Sequence, residues 1–415
     1  MTNLKNTFVY STILASSLCA SYSAFAGDSL EQAFRDGTPY IDMRYRYEFI
    51  DQDSKTKNAN ASTLRTRLGY RSGEFHNFSG VLEFENIVQV GSDSFNDTVN
   101  KKTMYPTVAD VEGTELNQAF LQFTGIDDTR LRVGREAINI GNQRFIGSVE
   151  WRQNNQTFDA ISLVNQSLPD TVATYAYLNK VHRIFGDDSG MGNWNSSSHI
   201  INAANKTTSL GTISGYGYFL DFDMDAPAVS SKTYGISLDG KQKIDEHFTF
   251  KYYLEYAHQS DHGSNTTNYD AQYYHIAPAI SFGGFTGTLG YEVLGSDNGV
   301  IGFSTPLATG HKFNGAADKF LSTPAGGLED AYIELKYKVK DKGDDTDIFN
   351  GLLVKAQYHD FSAEHGSADY GTEFDLYVKK PIAGHFYAEA GYAIYDADTV
   401  SSDTQKFTLG IGVRY

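Results

Sequence analysis

The 415-residue chain has 34 lysines and arginines against 51 aspartates and glutamates, so its formal net charge is −17 at pH 7. This acidity disfavours nucleic-acid binding, which depends on basic side chains that neutralise phosphates. Outside the N-terminus, no apolar stretch is long enough to cross a bilayer as a helix. The single cysteine, Cys19, cannot build a disulfide framework. Helical membrane proteins and disulfide-rich secreted domains are thereby excluded.

Residues 1–26 have the features of a secretory signal peptide. Lys5 precedes an apolar stretch from Phe8 to Ala20, and the small residues of Ala24-Phe25-Ala26 offer a cleavage site. The alternative is a lipoprotein signal that uses Cys19, although Leu18 stands where a small residue is usual. Cleavage after Ala26 removes one cation and no carboxylate, so the net charge changes from −17 for the whole chain to −18 for the predicted mature chain.

The first predicted strand, from Tyr40 to Phe49, has one wholly apolar face and one wholly charged face. Successive side chains of a strand point to opposite sides. The charged face carries Asp42, Arg44, Arg46 and Glu48. Two such different faces require two different solvents, and a transmembrane barrel provides them as lipid outside and a water-filled lumen inside.

The next two predicted strands continue this pattern with opposite charges. Arg65 and Arg67 lie on the inward face of one strand, and Glu83 and Glu85 lie on the inward face of the next. Two interpretations remain open, because such residues can satisfy one another as cross-strand pairs or contact a solute in the lumen.

Arginines are concentrated between Leu131 and Arg152. Arg132, Arg135, Arg144 and Arg152 lie on one strand end and the loop that follows it. Guanidinium groups bind carboxylates through paired hydrogen bonds and stay charged at any working pH, so the segment is suited to anion handling. The alternative is that these arginines pair with the carboxylates of Glu136, Glu150 and Asp159 to hold an infolded loop.

This segment resembles the alginate-export family of outer-membrane porins. The similar motifs are Gly134-Arg135-Glu136, the stretch from Gly141 to Gly147, Trp151, and Phe158-Asp159, in that order, although Ala160 replaces the family's usual glycine. Flanking segments extend the resemblance through most of the mature chain. The resemblance implies a porin barrel in which arginines of this region line an electropositive constriction that passes uronate carboxylates.

Later segments repeat the two-residue alternation up to the last strand, Lys406 to Tyr415, which resembles the C-terminal strands that the barrel-assembly machinery recognises. An even strand count is required, because both ends of a bacterial single-chain barrel lie on the periplasmic side. A short strand near Ser198 to Ala204 brings our count to 18. Short turns are predicted at residues 125–129, 167–170, 240–246, 282–284 and 380–384. We therefore predict an all-β, transmembrane antiparallel β-barrel of about 18 strands over residues 27–415, as a single domain.

The longest predicted outer loop, Ser296 to Gly327, either folds into the pore as a constriction or remains a mobile surface loop. Lys251 and Lys355 are predicted to face the lumen. The acidic run from Asp221 to Asp225 is similar to a calcium loop, but it lacks the glycine and closing glutamate of an EF-hand, and we predict surface charge there.

Together these features predict an outer-membrane channel for anionic solutes, first of all acidic oligosaccharides or polysaccharides such as alginate, with a general or small-organic-anion porin as the alternative. A barrel enzyme is a remote alternative, because the scattered histidines form no local catalytic motif. The predicted location is the outer membrane of a Gram-negative bacterium, in contact with lipid and lipopolysaccharide, with no cofactor. The candidate pore-lining residues are Arg65, Arg67, Arg132, Arg135, Arg144, Arg152, Lys251 and Lys355.

Overall fold

The computed structural model describes residues 29–340, 348–382 and 384–415, so the predicted signal peptide lies outside the described residues. The strands of the main sheet are β1 (Thr38–Gln52), β2 (Ala59–Arg71), β3 (Phe78–Ser94), β4 (Gly113–Ile126), β5 (Thr129–Glu136), β6 (Thr157–Asn165), β7 (Thr171–His182), β8 (Asn193–Thr208), β9 (Gly211–Leu220), β10 (Ser231–Lys243), β11 (Phe248–Asp261), β12 (Asp270–Phe282), β13 (Phe285–Leu294), β16 (Leu328–Lys338), β17 (Leu353–Ser362), β18 (Asp369–Pro381), β19 (Phe386–Ala397) and β20 (Thr404–Arg414). The remaining elements are a short helix, α1 (Leu30–Arg35), two 3₁₀ turns (Pro227–Val229 and Gly310–Lys312), and a two-stranded ribbon, β14 (Ser296–Asp297) with β15 (Ile301–Gly302).

The 18-stranded sheet closes on itself as an antiparallel barrel. β1 pairs on one side with β2 and on the other with β20, so that Tyr45 lies opposite both Leu64 and Ile411. Closure leaves no unpaired edge along the wall, as a strand structure in a bilayer requires. The predicted fold class and strand count are confirmed.

The barrel buries charged side chains and exposes apolar ones, the reverse of a soluble protein. Arg46 and Glu48 on β1 are 3 % and 0 % exposed, whereas Leu121 and Leu335 on the outer wall are each 63 % exposed. The burial of β1 alternates residue by residue through its outer half. The predicted inward and outward faces of this strand are therefore correct.

Aromatic side chains collect where the wall meets the short turns. Ring pairs at this rim are Phe78–Phe123, Phe248–Phe282 and Phe285–Tyr337, with centroids 4.7, 4.8 and 4.2 Å apart. Girdles of aromatic residues at the bilayer interfaces are typical of outer-membrane barrels. No helix in the described residues is long and apolar enough to cross a membrane.

The two ends of the barrel differ in their connections. The predicted short turns all lie at one end, for example Gly283–Gly284 between β12 and β13, and the three longest connections, residues 95–112, 137–156 and 295–327, lie at the other. The strand added near Ser198 is present as β8, but it is longer than predicted. It begins at Asn193, five residues before the predicted start, and ends at Thr208.

Candidate pore constriction

Two loops from the long-loop end fold into the lumen and meet there. We call residues 137–156 the first loop and residues 295–327 the second loop. The backbone amide of Gly147 donates to the carbonyl of Leu307 at 2.9 Å, and the backbone amide of Thr309 donates to the carbonyl of Gln143 at 3.0 Å. Of the two interpretations of the second loop, the structure shows the infolded one.

Apolar contacts hold the two loops against one side of the inner wall. Phe145 of the first loop lies 5.4 Å from the rings of both Tyr216 and Tyr273, and 5.9 Å from Phe303 of the second loop. Ile146 and Leu307 are fully buried in the same cluster. Aromatic pairs at such separations stabilise a core beyond the area they bury. This side of the lumen is therefore a packed core, and the remaining passage is narrowed.

The tip of the first loop is fixed by cations of β1. Arg44 donates to the carbonyls of Glu150, Trp151 and Arg152 and, through Nε, to the Gln153 side chain at 3.1 Å. The guanidinium of Arg46 stacks over one face of the Trp151 ring at 3.9 Å. Cation–π contacts of this kind are worth about 0.5–2 kcal/mol.

The second loop is fastened to this tip from the opposite side. The ring of His311 stacks on Trp151 with centroids 3.7 Å apart. Asp318 lies 2.5 Å from Lys406 Nζ, 2.7 Å from His311 Nδ1 and 3.5 Å from Arg152 Nη2. Burial alone would raise the pKa of Asp318, but His311, Lys406 and Arg152 hold that pKa well below its usual value. Asp318 is thus an anion at neutral pH and links both loops to β20.

The charged groups at this junction carry a small positive excess, and we call them the junction cluster. Its members are the cations Arg44, Arg46, Arg152 and Lys406 and the carboxylates Glu48, Asp110 and Asp318. Four cations against three carboxylates give a net charge of +1, in a chain whose total is −17. The low exposure of these groups strengthens the field they exert, because water screens them little.

Two carboxylates of β18 accept hydrogen bonds from the backbone of the second loop. The amide of Ala316 donates to Asp375 at 3.1 Å, and the amide of Ala317 donates to Glu373 at 2.6 Å. Gly315 precedes these amides with φ +86°, and a Cβ at this position would lie 2.4 Å from a Glu373 oxygen. The close approach of loop and wall therefore requires glycine here.

Each of the six candidate arginines forms an ion pair. The pairs are Arg65–Asp42, Arg67–Glu85, Arg132–Glu136, Arg135–Asp159, Arg144–Glu292 and Arg152–Glu48. This arrangement agrees with the structural-pairing alternative. Arg135 does not face the lumen, however, because it alternates with the inward Gly134 and Glu136 and shares the outer face of β5 with Val133, which is 49 % exposed. Of the three predicted partners, Glu136 and Asp159 form pairs; for Glu150, the structure shows its backbone carbonyl accepting from Arg44.

The two candidate lysines lie apart from each other. Lys251 is on β11 opposite Lys241 of β10, three residues into β11 from the short-turn end. Lys355 lines a cavity of about 130 Å³ that lies among β12, β13, β16, β17 and residues 312–314, which we call the β16–β17 cavity. Lys312 of the second loop lines the same cavity. Burial lowers the pKa of Lys312, the carboxylate of Glu150 opposes this shift, and Lys355 adds to it.

Several residues of the constriction are absent from the candidate set. Arg44, Arg46 and Lys406 could have been included, because the alternation of β1 and β20 already places them on the inward face. His311 and Asp318 could not, since they reach the lumen only through the path of the second loop. A loop path carries no period from which a side-chain direction can be inferred.

Comparison with known proteins identifies the fold and the family. The family model described as alginate export matches residues 40–293, which is more than half of the chain. No curated protein sequence matches. Acinetobacter baumannii OccAB4 and OccAB2 share 18 % and 15 % identity over 92 % of this chain and 98 % and 99 % of theirs, with TM-scores of 0.69 and 0.73. Pseudomonas aeruginosa OpdK, solved with vanillate, shares 14 % identity over 92 % of this chain and 99 % of its own, with a TM-score of 0.71.

Proposed function

Because this chain belongs to the alginate-export family of outer-membrane porins, we propose that its barrel passes anionic solutes, in particular acidic oligosaccharides or polysaccharides such as alginate. The family and the fold point to a channel rather than to an enzyme. They also imply the outer membrane as its location, and we propose that the membrane is that of a Gram-negative bacterium. Export through residues 1–26, contact with lipopolysaccharide and assembly through β20 are parts of the same proposal.

The observation that carries anion passage is the position of the junction cluster. Its net charge of +1, from four cations and three carboxylates, lies where both loops narrow the lumen. Confined low-dielectric walls focus the field of such a cluster on passing ions. The acidity of the whole chain matters less, because screening in water suppresses charges beyond about 10 Å at 0.1 M salt.

The six paired arginines change how this proposal is tested. Replacing Arg144 by a neutral residue would leave Glu292 buried without its cation, and such a loss costs about 3–5 kcal/mol. Any change in selectivity would then be mixed with displacement of the first loop. Arg44 is a better target, because it donates to three backbone carbonyls and a side-chain amide rather than to a carboxylate.

Planar-bilayer recordings in a KCl gradient measure the proposed preference directly. The reversal potential of the wild-type channel should have the sign that indicates a preference for chloride. Arg44→Gln should shift the reversal potential toward zero. Arg44→Lys is the matched control, since it loses the same fork of hydrogen bonds but keeps the charge. A cation-selective wild-type channel, or equal reversal potentials in the two variants, would contradict the proposal.

A second candidate is a channel for small organic anions. The solved structure of OpdK with vanillate is a structural relative of this chain, and the β16–β17 cavity has the size of a single small ring. Current block separates the candidates: oligouronates should block more strongly than vanillate if saccharides are the substrates, and less strongly if small organic anions are.

A further inference from the structure

We propose that the β16–β17 cavity is a subsite for one uronate ring, with its carboxylate between Lys312 and Lys355 and its hydroxyl groups on Glu334 and Gln357. This inference rests on the proposed passage of acidic saccharides and deepens it. It places recognition of the solute at the wall of β16 and β17, where residues 312–314 of the second loop approach it, and at side chains other than the arginines of the first loop.

One part of the cavity lining is already occupied by internal contacts. Asn314 donates to Glu292 at 2.7 Å and to Asp330 at 3.0 Å. Glu292 also pairs with Arg144 at 2.7 Å, and Asp330 lies 2.9 Å from His359 Nδ1. These carboxylates have their partners, so this part of the lining positions the second loop rather than a solute.

The other part of the lining has polar groups without partners. Within residues 29–340, 348–382 and 384–415, no ion pair or side-chain hydrogen bond involves the ammonium groups of Lys312 and Lys355 or the amide of Gln357, although the Glu150 carboxylate is near enough to act on Lys312. The Glu334 carboxylate has one distant ion pair, 3.9 Å from Lys336. These groups are therefore available to a ligand that completes their hydrogen bonds.

The combination of these groups selects a hydroxylated carboxylate. Two lysines that form no ion pair attract an anion, but the nearby Glu334 repels any anion that cannot donate a hydrogen bond to it. A hydroxyl group can donate to Glu334 and both donate to and accept from Gln357. A neutral sugar could donate hydrogen bonds to Glu334 and Gln357 but would leave the two lysines without an anion. A simple carboxylate could pair with the lysines but could not donate to Glu334 or Gln357.

The volume of the cavity is that of a site for about one six-membered ring. Its volume is about 130 Å³, and a cavity of about 150 Å³ in another protein holds benzene. Tyr332 and Phe313 line it with ring surfaces. His275 lies 2.9 Å from the Tyr332 hydroxyl and fixes that ring. The cavity thus combines two aromatic rings with many polar groups, and both can contact a sugar ring.

The experiment measures block of the chloride current through the full barrel by three probes. Glucuronate has both the carboxylate and the hydroxyls, glucose has the hydroxyls alone, and acetate has a carboxylate alone. We expect glucuronate to block at about tenfold lower concentration than either of the others, the gain expected from one additional charge-assisted hydrogen bond.

Variants locate the block at the cavity. Lys355→Gln should weaken the glucuronate block about tenfold, the effect of one lost charge-assisted contact. Lys379→Gln is the matched control: Lys379 shares the inward parity of Glu373 on β18, pairs with Glu389 at 3.4 Å, and does not line the cavity. If Lys355→Gln does not show the heat-modifiable gel mobility of a folded barrel, Lys312→Gln provides the same test. Lys312 lies in the second loop, so this substitution alters no strand.

Two results would overturn the subsite. One is glucuronate block no stronger than that of glucose or acetate, and the other is equal weakening by Lys355→Gln and Lys379→Gln. A chloride-selective wild-type channel with either result would leave the proposed function intact. A cation-selective wild-type channel would overturn the proposed function, while glucuronate block would still decide the subsite.

Discussion

Neutralising Asp318 should release the second loop from the lumen. Asp318→Asn keeps the shape of the side chain but removes the charge that contacts Lys406, His311 and Arg152 at 2.5, 2.7 and 3.5 Å. Loss of one partner from a buried ion pair costs about 3–5 kcal/mol. Both Lys406 and Arg152 keep Glu48 as a second partner, at 3.5 and 3.2 Å. We therefore expect a smaller cost than this range, about 2–3 kcal/mol.

A cost of about 2–3 kcal/mol lowers the ratio of docked to undocked loop by roughly 30- to 150-fold. Single-channel recordings should then show frequent transitions to a larger conductance that the wild type rarely visits. Asp93→Asn is the control, because Asp93 pairs with Lys102 on the surface, with side chains 62 % and 33 % exposed. Unchanged conductance and gating in Asp318→Asn would refute the role of this carboxylate in holding the loop.

Three further predictions test the wall, the loop and the pH response. Ile201→Arg should destabilise the folded barrel by about 2–4 kcal/mol, because Ile201 is 48 % exposed on the outer wall. The same substitution at the neighbouring inward residue, Asn202→Arg, should destabilise the barrel much less. Equal urea midpoints for the two variants would show that the faces are assigned wrongly. Gly315→Ala should loosen the second loop by about 1–3 kcal/mol, since φ is +86° there, and wild-type gating in this variant would contradict the tight fit to Glu373. Burial lowers the pKa of Lys319 to about 8, and the Glu373 carboxylate opposes this shift, so the positive charge of Lys319 is present below pH 8 and lost above it. The chloride preference of the wild-type channel should therefore fall between pH 7 and 9, whereas that of Lys319→Arg should not, because the arginine stays charged. Parallel pH profiles of the two channels would exclude Lys319 as the cause.

Strand direction and face were predictable wherever the two solvents differ. Arg65 and Glu85 are charged, and lipid excludes them, so their inward positions followed from the sequence alone. From Thr171 to Asp221 the sequence alternates only weakly, so the inward face cannot be read from it. The structure gives the reason: inward residues such as Ala176, Leu178 and Ile200 are apolar too, because they belong to the packed core that contains both loops.

The partners of the arginines were only partly predictable. Arg135 and Asp159 lie on neighbouring strands β5 and β6 and face each other in register, so a pairing between nearby segments could be anticipated. Arg144 pairs with Glu292, and Arg152 with Glu48, across distances in sequence that only the loop path brings together. The β16–β17 cavity likewise combines strand residues with a segment of the second loop, which no periodic pattern places.

Uptake of matched saccharides into liposomes tests the central claim most directly. Vesicles containing the wild-type barrel are mixed with a trimeric uronate or with a neutral trisaccharide of similar length, and swelling rates are compared at low ionic strength, where screening is weakest. If cations at the loop junction and in the cavity select the solute, the uronate should enter faster, and added salt should reduce the difference. Equal or faster entry of the neutral saccharide would contradict the account.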